Sequence, residues 1–246
     1  MADRTAIEWT SHTFNPWIGC TKVSPGCANC YAEKQTPSRV FGVNWGKGQP
    51  RHRTSESNWK KPLAWNRAAK LRSERDRVFC ASMADVFDTE VEQSWRDDLW
   101  ELIAQCPSLD WQLLTKRPQN VAQRVPSSWL DDWPENVWLG TSVENQRCAD
   151  ERIPILRSLP ARVRFLSCEP LLGFVDLNLE DIHWILVGGE SGSGCRGMKT
   201  SWARGIVEQC QQANVPVFVK QLGGHPDKRG EISQFPRYLR HREYPA

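Results

Sequence analysis

Val137-Trp138-Leu139-Gly140-Thr141, then the segment 145–158, then Arg164-Phe165-Leu166-Ser167 form one repeating unit of this sequence. A short apolar run ends in a polar tip, a segment with helical spacing follows, and a second apolar run begins. Short, nearly continuous apolar runs are what strands buried on both faces of a parallel sheet require. The intervening segment reads as a helix with an internal break at Pro154, because proline lacks the N–H that the helical ladder needs. Working outward, the same rhythm recurs at Val78-Phe79-Cys80-Ala81-Ser82, Trp111-Gln112-Leu113-Leu114-Thr115, Trp184-Ile185-Leu186-Val187 and Val217-Phe218-Val219-Lys220. Trp95, Leu99, Leu102 and Ile103 fall on one helical stripe, and Trp202, Ile206, Cys210 and Ala213 on another. Residues 14–18 are predicted as a first strand. The reading is α/β: a full or partial (β/α) barrel of parallel strands, in a single domain over 1–246. A doubly wound open sheet has the same alternation, and periodicity does not separate the two.

This rhythm places chemistry-capable groups just after the strands: Asp85 and Asp88, Thr115-Lys116-Arg117, Thr141 and Ser142 with Glu144, Ser167 with Glu169, Glu190, and Lys220 with Gln221. In parallel α/β architectures the C-terminal strand ends form the active face, so these groups are predicted to converge on one mouth. Glu169, Glu190, Lys116 and Lys220 are the catalytic candidates. The plainer alternatives are helix caps for Asp85 or Ser142 and solvated surface for Lys116, Arg117 and Lys220. The loop Gly188-Gly189-Glu190-Ser191-Gly192-Ser193-Gly194 has neither Walker lysine spacing nor a G-x-G-x-x-G fingerprint, so a tight βα turn is its default reading.

The chain has 246 residues, 39% of them hydrophobic and 25% charged, and its formal charge of +3 does not imply a nucleic-acid partner. The N-terminus MADRTAIEWT lacks a basic region followed by an apolar core, and no run approaches the ~20 apolar residues of a membrane span. A cytoplasmic location with no membrane association is therefore expected. There the nine cysteines stay reduced, which turns attention to metal chemistry or catalysis.

Cys20, Cys27 and Cys30 lie in the N-terminal loop 14–33 with the spacing C-x6-C-x2-C, with Gly19, Pro25 and Gly26 among them. Glycine lets the backbone approach closely, and a C-x2-C pair can present two thiolates to one centre. No second C-x2-C exists for a zinc ribbon. A four-ligand zinc site would need His12 or a distant thiol such as Cys80, Cys168 or Cys195, and a structural zinc site stays open as an alternative. Three thiolates on an iron–sulfur cubane instead leave one iron open.

Glu8-Trp9-Thr10, Phe14-Asn15-Pro16-Trp17, Gly19-Cys20 and Ser24-Pro25-Gly26-Cys27-Ala28-Asn29-Cys30-Tyr31-Ala32-Glu33 resemble a family of phage and prophage three-Cys-motif proteins. The resemblance continues through Leu114-Thr115-Lys116-Arg117-Pro118, Gly140-Thr141-Ser142-Val143-Glu144-Asn145, Ser167-Cys168-Glu169-Pro170-Leu171-Leu172 and Gly188-Gly189-Glu190-Ser191. That family is similar to the radical S-adenosylmethionine (SAM) superfamily, and Cys30-Tyr31 is similar to spore photoproduct lyase-like enzymes, whose last cysteine also precedes tyrosine. The resemblance implies a [4Fe–4S] cluster on Cys20, Cys27 and Cys30 whose open iron chelates SAM. It implies reductive SAM cleavage to a 5′-deoxyadenosyl radical, with electrons from a reductant such as a flavodoxin or ferredoxin. By analogy of topology, Asp85 would meet the SAM amino group, Thr141, Ser142 and Glu144 the ribose, and Arg147 the carboxylate. Two departures stand out: six residues rather than three separate the first two cysteines, and Asn29 replaces the usual aromatic residue before the last. Tyr31 is the candidate substitute for that aromatic contact.

The segment 51–77 holds nine Lys/Arg against three acids, with Trp59 and Trp65 between them, and the tail adds Arg237, Arg240, His241 and Arg242. Such a strip could follow a phosphate backbone while the indoles stack on bases. A solvated amphipathic helix with Trp59, Leu63 and Leu71 packed inward is the plainer and preferred reading of the same residues. The leading expectation is a radical-SAM-like enzyme acting on a nucleotide or nucleic acid. The rivals are a non-enzymatic zinc module recruiting DNA or a protein partner, and an electron-transfer iron–sulfur protein.

Overall fold

The computed structural model describes residues 4–34, 40–192, 194–223 and 230–245; Ser193 of the glycine-rich loop lies outside them. Among the described residues nine strands run in chain order: β1 His12–Phe14, β2 Trp17–Ile18, β3 His52–Arg53, β4 Asp76–Cys80, β5 Leu109–Thr115, β6 Val137–Ser142, β7 Val163–Cys168, β8 Trp184–Gly188 and β9 Val217–Gln221. The four long helices are α1 Lys61–Arg72, α2 Gln93–Ala104, α3 Gln146–Arg157 and α4 Thr200–Ala213.

Seven strands form one sheet in the order β1-β4-β5-β6-β7-β8-β9, and β2-β3 form a separate antiparallel ribbon. The pairs β1–β4, β4–β5, β7–β8 and β8–β9 are parallel. Strand order follows chain order throughout. A doubly wound sheet reverses its order at a switch point; this one does not, so the topology is that of a partial (β/α) barrel.

Two sequence expectations need correction. The first strand of the large sheet is His12–Phe14, not 14–18, and Trp17–Ile18 belongs to the ribbon instead. The α3 helix also runs through Pro154 without a break. Its N-terminus is capped by Asn145, whose side chain accepts from Cys148 N at 3.0 Å. Pro154 gives up the bond to the Asp150 carbonyl, and the helix still continues for three residues beyond it.

Two compact units are distinguished. The first comprises residues 1–22, 32–139 and 159–162. In it β4 is the middle of three paired strands, with His12 opposite Val78 and Val78 opposite Trp111. Phe14 and Trp111 are fully buried with their rings edge-on at 6.0 Å. The second comprises residues 23–31, 140–158 and 163–246. Here β8 pairs with β7 and β9, and a register shift falls at Val187/Gly188. Trp184, Phe165 and Phe218 fill that core. Gly140 is required by packing, because a Cβ there would lie 2.4 Å from the Phe165 ring. Ten of the thirteen tryptophans are buried, so most of the indole excess builds core rather than stacking surface.

Candidate functional site

In the first unit, chemistry gathers around Cys20. The Gly19 amide donates to the Met83 carbonyl at 3.1 Å, which lays the start of the cysteine loop along the residues after β4. Arg117, just past β5, donates from Nη1 to Cys20 Sγ at 3.5 Å and to Asp85 Oδ2 at 2.8 Å; its Nη2 donates to the Thr21 carbonyl. Asp85 also accepts from Thr115 Oγ1 at 2.8 Å and from Lys116 N at 3.1 Å. Both Asp85 and Arg117 are buried. Burial, then the Asp85 carboxylate, pushes the Cys20 thiol up to about 12, with Arg117 pulling the other way. Arg117 is itself held charged despite burial, chiefly by Asp85 and also by Cys20 and Asp88.

A second buried cation braces the same loop. Arg51 donates to Asp88 at 2.7 Å, to Glu90 at 2.6 Å and to Thr21 Oγ1 at 2.7 Å, and it also reaches the Gly46 and Gln49 carbonyls. Sequence reasoning counted Arg51 in a basic strip, and no local signal marks it as a brace. Of the other cations there, Arg53 pairs with Asp98, Arg72 with Glu74 and Asp76, and Arg75 with Asp110. Trp59 and Trp65 are both buried; Trp65 stacks on His12 at 4.3 Å and Arg53 covers the Trp59 ring. The idea that these indoles stack on bases is therefore withdrawn. His12 is buried between that ring and Asp76, 3.4 Å from its Nε2; Leu71 is exposed rather than packed inward.

In the second unit, Ser24-Pro25-Gly26-Cys27-Ala28 forms a tight turn, with Cys27 N donating to the Ser24 carbonyl at 2.9 Å. Ser24 Oγ donates to Glu144 Oε1 at 2.6 Å and lies 3.7 Å from Cys27 Sγ. Glu144 is fully buried, and its other oxygen accepts from Arg152 at 2.9 Å. Arg152 also donates to the Ser142 carbonyl. Asn29 donates to Glu190 Oε2 at 3.1 Å and to the Gly194 carbonyl. Arg196 pairs with both oxygens of Glu190 and donates from Nη2 to the Pro25 carbonyl at 3.0 Å. Burial opposes the charge on Glu190, but the bonds from Arg196 and Asn29 outweigh it and hold the carboxyl below its usual range. Lys220 Nζ donates to Glu169 Oε1 at 2.6 Å, and Gln221 beside it donates to the Gly189 carbonyl and to Ser191 Oγ.

The remaining predicted residues are placed as follows. Thr141 and Ser142 are buried at the end of β6, and Tyr31 is half-buried after Cys30. Arg147 projects from α3, 83% exposed along its side chain, and pairs with Glu151 one turn on. Sequence reasoning missed Ser24, Arg152 and Arg196. A serine followed by Pro-Gly three residues ahead of a cysteine was the one visible turn signal.

Cys20, Cys27 and Cys30 are free and half-buried, whereas Cys80, Cys106, Cys148, Cys168 and Cys210 are buried; Cys195 is half-buried but isolated in sequence. Burial pushes the Cys80 and Cys168 thiols up, as it does Cys20, but neither lies in the C-x6-C-x2-C loop and neither has a guanidinium on its sulfur as Cys20 has. The donor chemistry of the motif thus fits a thiolate-bound cluster. Among the described residues, no group of three His, Cys, Asp or Glu is placed to hold a metal ion, so no coordination geometry follows. Among them, too, no helix is long and apolar enough to cross a membrane.

The model of the family described as "Protein of unknown function (DUF5131)" matches residues 4–244. No curated protein matches the chain. Solved structures of spore photoproduct lyase mutants are similar in fold. One, with bound AdoMet and dinucleoside spore photoproduct, has a TM-score of 0.49 and 12% identity, covering 86% of this chain and 53% of that one. Another has a TM-score of 0.48 at the same identity and coverage. The chain thus spans about half the length of these proteins.

Proposed function

The chain belongs to the DUF5131 family, and we propose that it is a radical-SAM-type iron–sulfur enzyme whose cluster is held by Cys20, Cys27 and Cys30. The observation that carries this reading is the contrast in exposure. The three motif thiols are half-buried while five others are shut in the core; burial raises Cys20, and the Arg117 guanidinium at 3.5 Å works against that rise. When bound, the cluster and SAM supply one-electron cleavage chemistry, with electrons from a reductant such as a flavodoxin or ferredoxin.

The chain's own residues then have four tasks. Arg117 offers a guanidinium to Cys20 and lowers the cost of its negative charge. Asp85 sits behind Arg117 with three further donors on it, Phe87 N, Thr115 Oγ1 and Lys116 N; it is the proposed contact for the SAM amino group, which would take the place of one of them. Thr141 and Ser142 at the end of β6 are proposed for the ribose. The Glu169–Lys220 pair, partly open to solvent, is proposed to orient substrate or hold a proton. A nucleotide or nucleic-acid substrate is supported by the exposed Lys60, Lys61, Arg67 and Lys70; such binding would weaken steeply with salt.

The test is anaerobic reconstitution with iron and sulfide. Absorption near 410 nm with stoichiometric iron is expected in the wild type and absent in each of Cys20→Ala, Cys27→Ala and Cys30→Ala. Full iron in Cys27→Ala would overturn the ligand assignment, and zinc without iron would favour the structural-zinc reading.

A further inference from the structure

We infer that Glu144 and Glu190 are positioning residues that clamp the turn carrying Cys27, not groups that touch SAM or substrate; this rests on the cluster reading above. Both oxygens of the Glu144 carboxylate already accept from the chain itself. Oε1 takes the Ser24 hydroxyl at 2.6 Å and Oε2 takes Arg152 at 2.9 Å, and the residue is fully buried. The turn lies directly against it, because a Cβ on Gly26 would be 2.5 Å from Glu144 Cγ and Oε1. Glycine at 26 is what lets the cysteine turn seat on this carboxylate.

Glu190 grips the same turn by a different route. It accepts from Asn29 and from Arg196, and the Arg196 guanidinium reaches on to the Pro25 carbonyl. Ser24 is thus held by Glu144, and Asn29 directly and Pro25 through Arg196 by Glu190, the two acids following different strands. Cys27 lies inside that span and Cys30 one residue past it. A cluster needs its thiolates presented together, and an anchored turn lowers the conformational entropy lost when it binds. The acids and Arg196 meet the loop through side chains and carbonyls; among the described residues the Ser24 hydroxyl is the group near the Cys27 sulfur.

The test compares Glu144→Gln, Ser24→Ala and Arg196→Gln with wild type in two states. In metal-free protein, mass spectrometry follows iodoacetamide alkylation of Cys27 and Cys30. Release of the turn should raise the Cys27 rate at least about fivefold. Should Glu144→Gln fail to fold because Arg152 loses its charge partner, Ser24→Ala removes the loop side of the same contact alone. In reconstituted protein, iron per chain should fall by half or more, while SAM affinity per remaining cluster stays that of wild type. Wild-type iron with SAM affinity lost tenfold would make Glu144 a SAM ligand and overturn the clamp. Unchanged alkylation in both Ser24→Ala and Arg196→Gln would overturn it too. If wild type binds no iron, the cluster reading fails by itself, and the alkylation rates still decide the clamp.

Discussion

Arg117→Ala should destabilise the metal-free protein substantially, because it strands a buried carboxylate. Arg117 and Asp85 have side chains 6% and 7% exposed and meet at 2.8 Å. Their gross attraction at an effective dielectric of 20 is about 6 kcal/mol. Breaking a buried pair by removing one partner costs about 3–5 kcal/mol. Asp85 keeps the Thr115 hydroxyl and the Lys116 amide, which places the expected loss near the lower end, about 3 kcal/mol. At roughly 2–4 °C per kcal/mol for a chain of this size, the melting temperature should fall by roughly 6–12 °C. Calorimetry on apo protein reads this without interference from cluster loss. A second substitution, Asp85→Asn, removes the stranded charge and should restore part of the loss, giving a coupling of about 1–3 kcal/mol across the cycle. A single-mutant loss under about 1 kcal/mol, or no coupling, would refute the argument from burial.

Three further outcomes are expected. Gly140→Ala forces a Cβ into the Phe165 ring and should cost about 1–3 kcal/mol by overpacking, read as a lower urea midpoint; an unchanged midpoint would contradict the packing. His183 should titrate below its ordinary value of 6.5, since burial and then the nearby Arg164 disfavour its cation. A histidine with a depressed folded pKa binds fewer protons folded than unfolded, so its contribution is intact above pH 6.5 and lost as pH falls below that. NMR titration of the ring checks the direction, and a value above 6.5 would reverse it. Cys210→Ala, in the core of α4, should keep full iron on reconstitution and lose only thermal stability; lost iron would tie that thiol to the site.

The parallel strands were legible because strands buried on both faces must be almost wholly apolar, as Trp184–Gly188 is. His12–Phe14 was not, since three residues with a histidine and a threonine carry no such run. The chain order of strands in the sheet resolved the barrel against the doubly wound alternative, which periodicity alone had left open. The basic neighbours of Trp59 and Trp65 left base stacking open beside the preferred inward packing, and the structure settles it: the indoles pack inward, Arg53 turns its charge onto distant Asp98 and Arg72 onto nearby Glu74 and Asp76. The strand-end acids were found by position, but their work was not. Glu144 meets Ser24 across 120 residues of sequence and Glu190 meets Asn29 across 161, separations that no window of sequence spans.

Conversion of SAM to 5′-deoxyadenosine by the reconstituted, dithionite-reduced protein is the measurement on which the enzyme assignment turns. Wild type should form 5′-deoxyadenosine, and the Cys20→Ala, Cys27→Ala and Cys30→Ala proteins should not. A full cluster with bound SAM and no 5′-deoxyadenosine, with or without added oligonucleotide, would contradict the assignment.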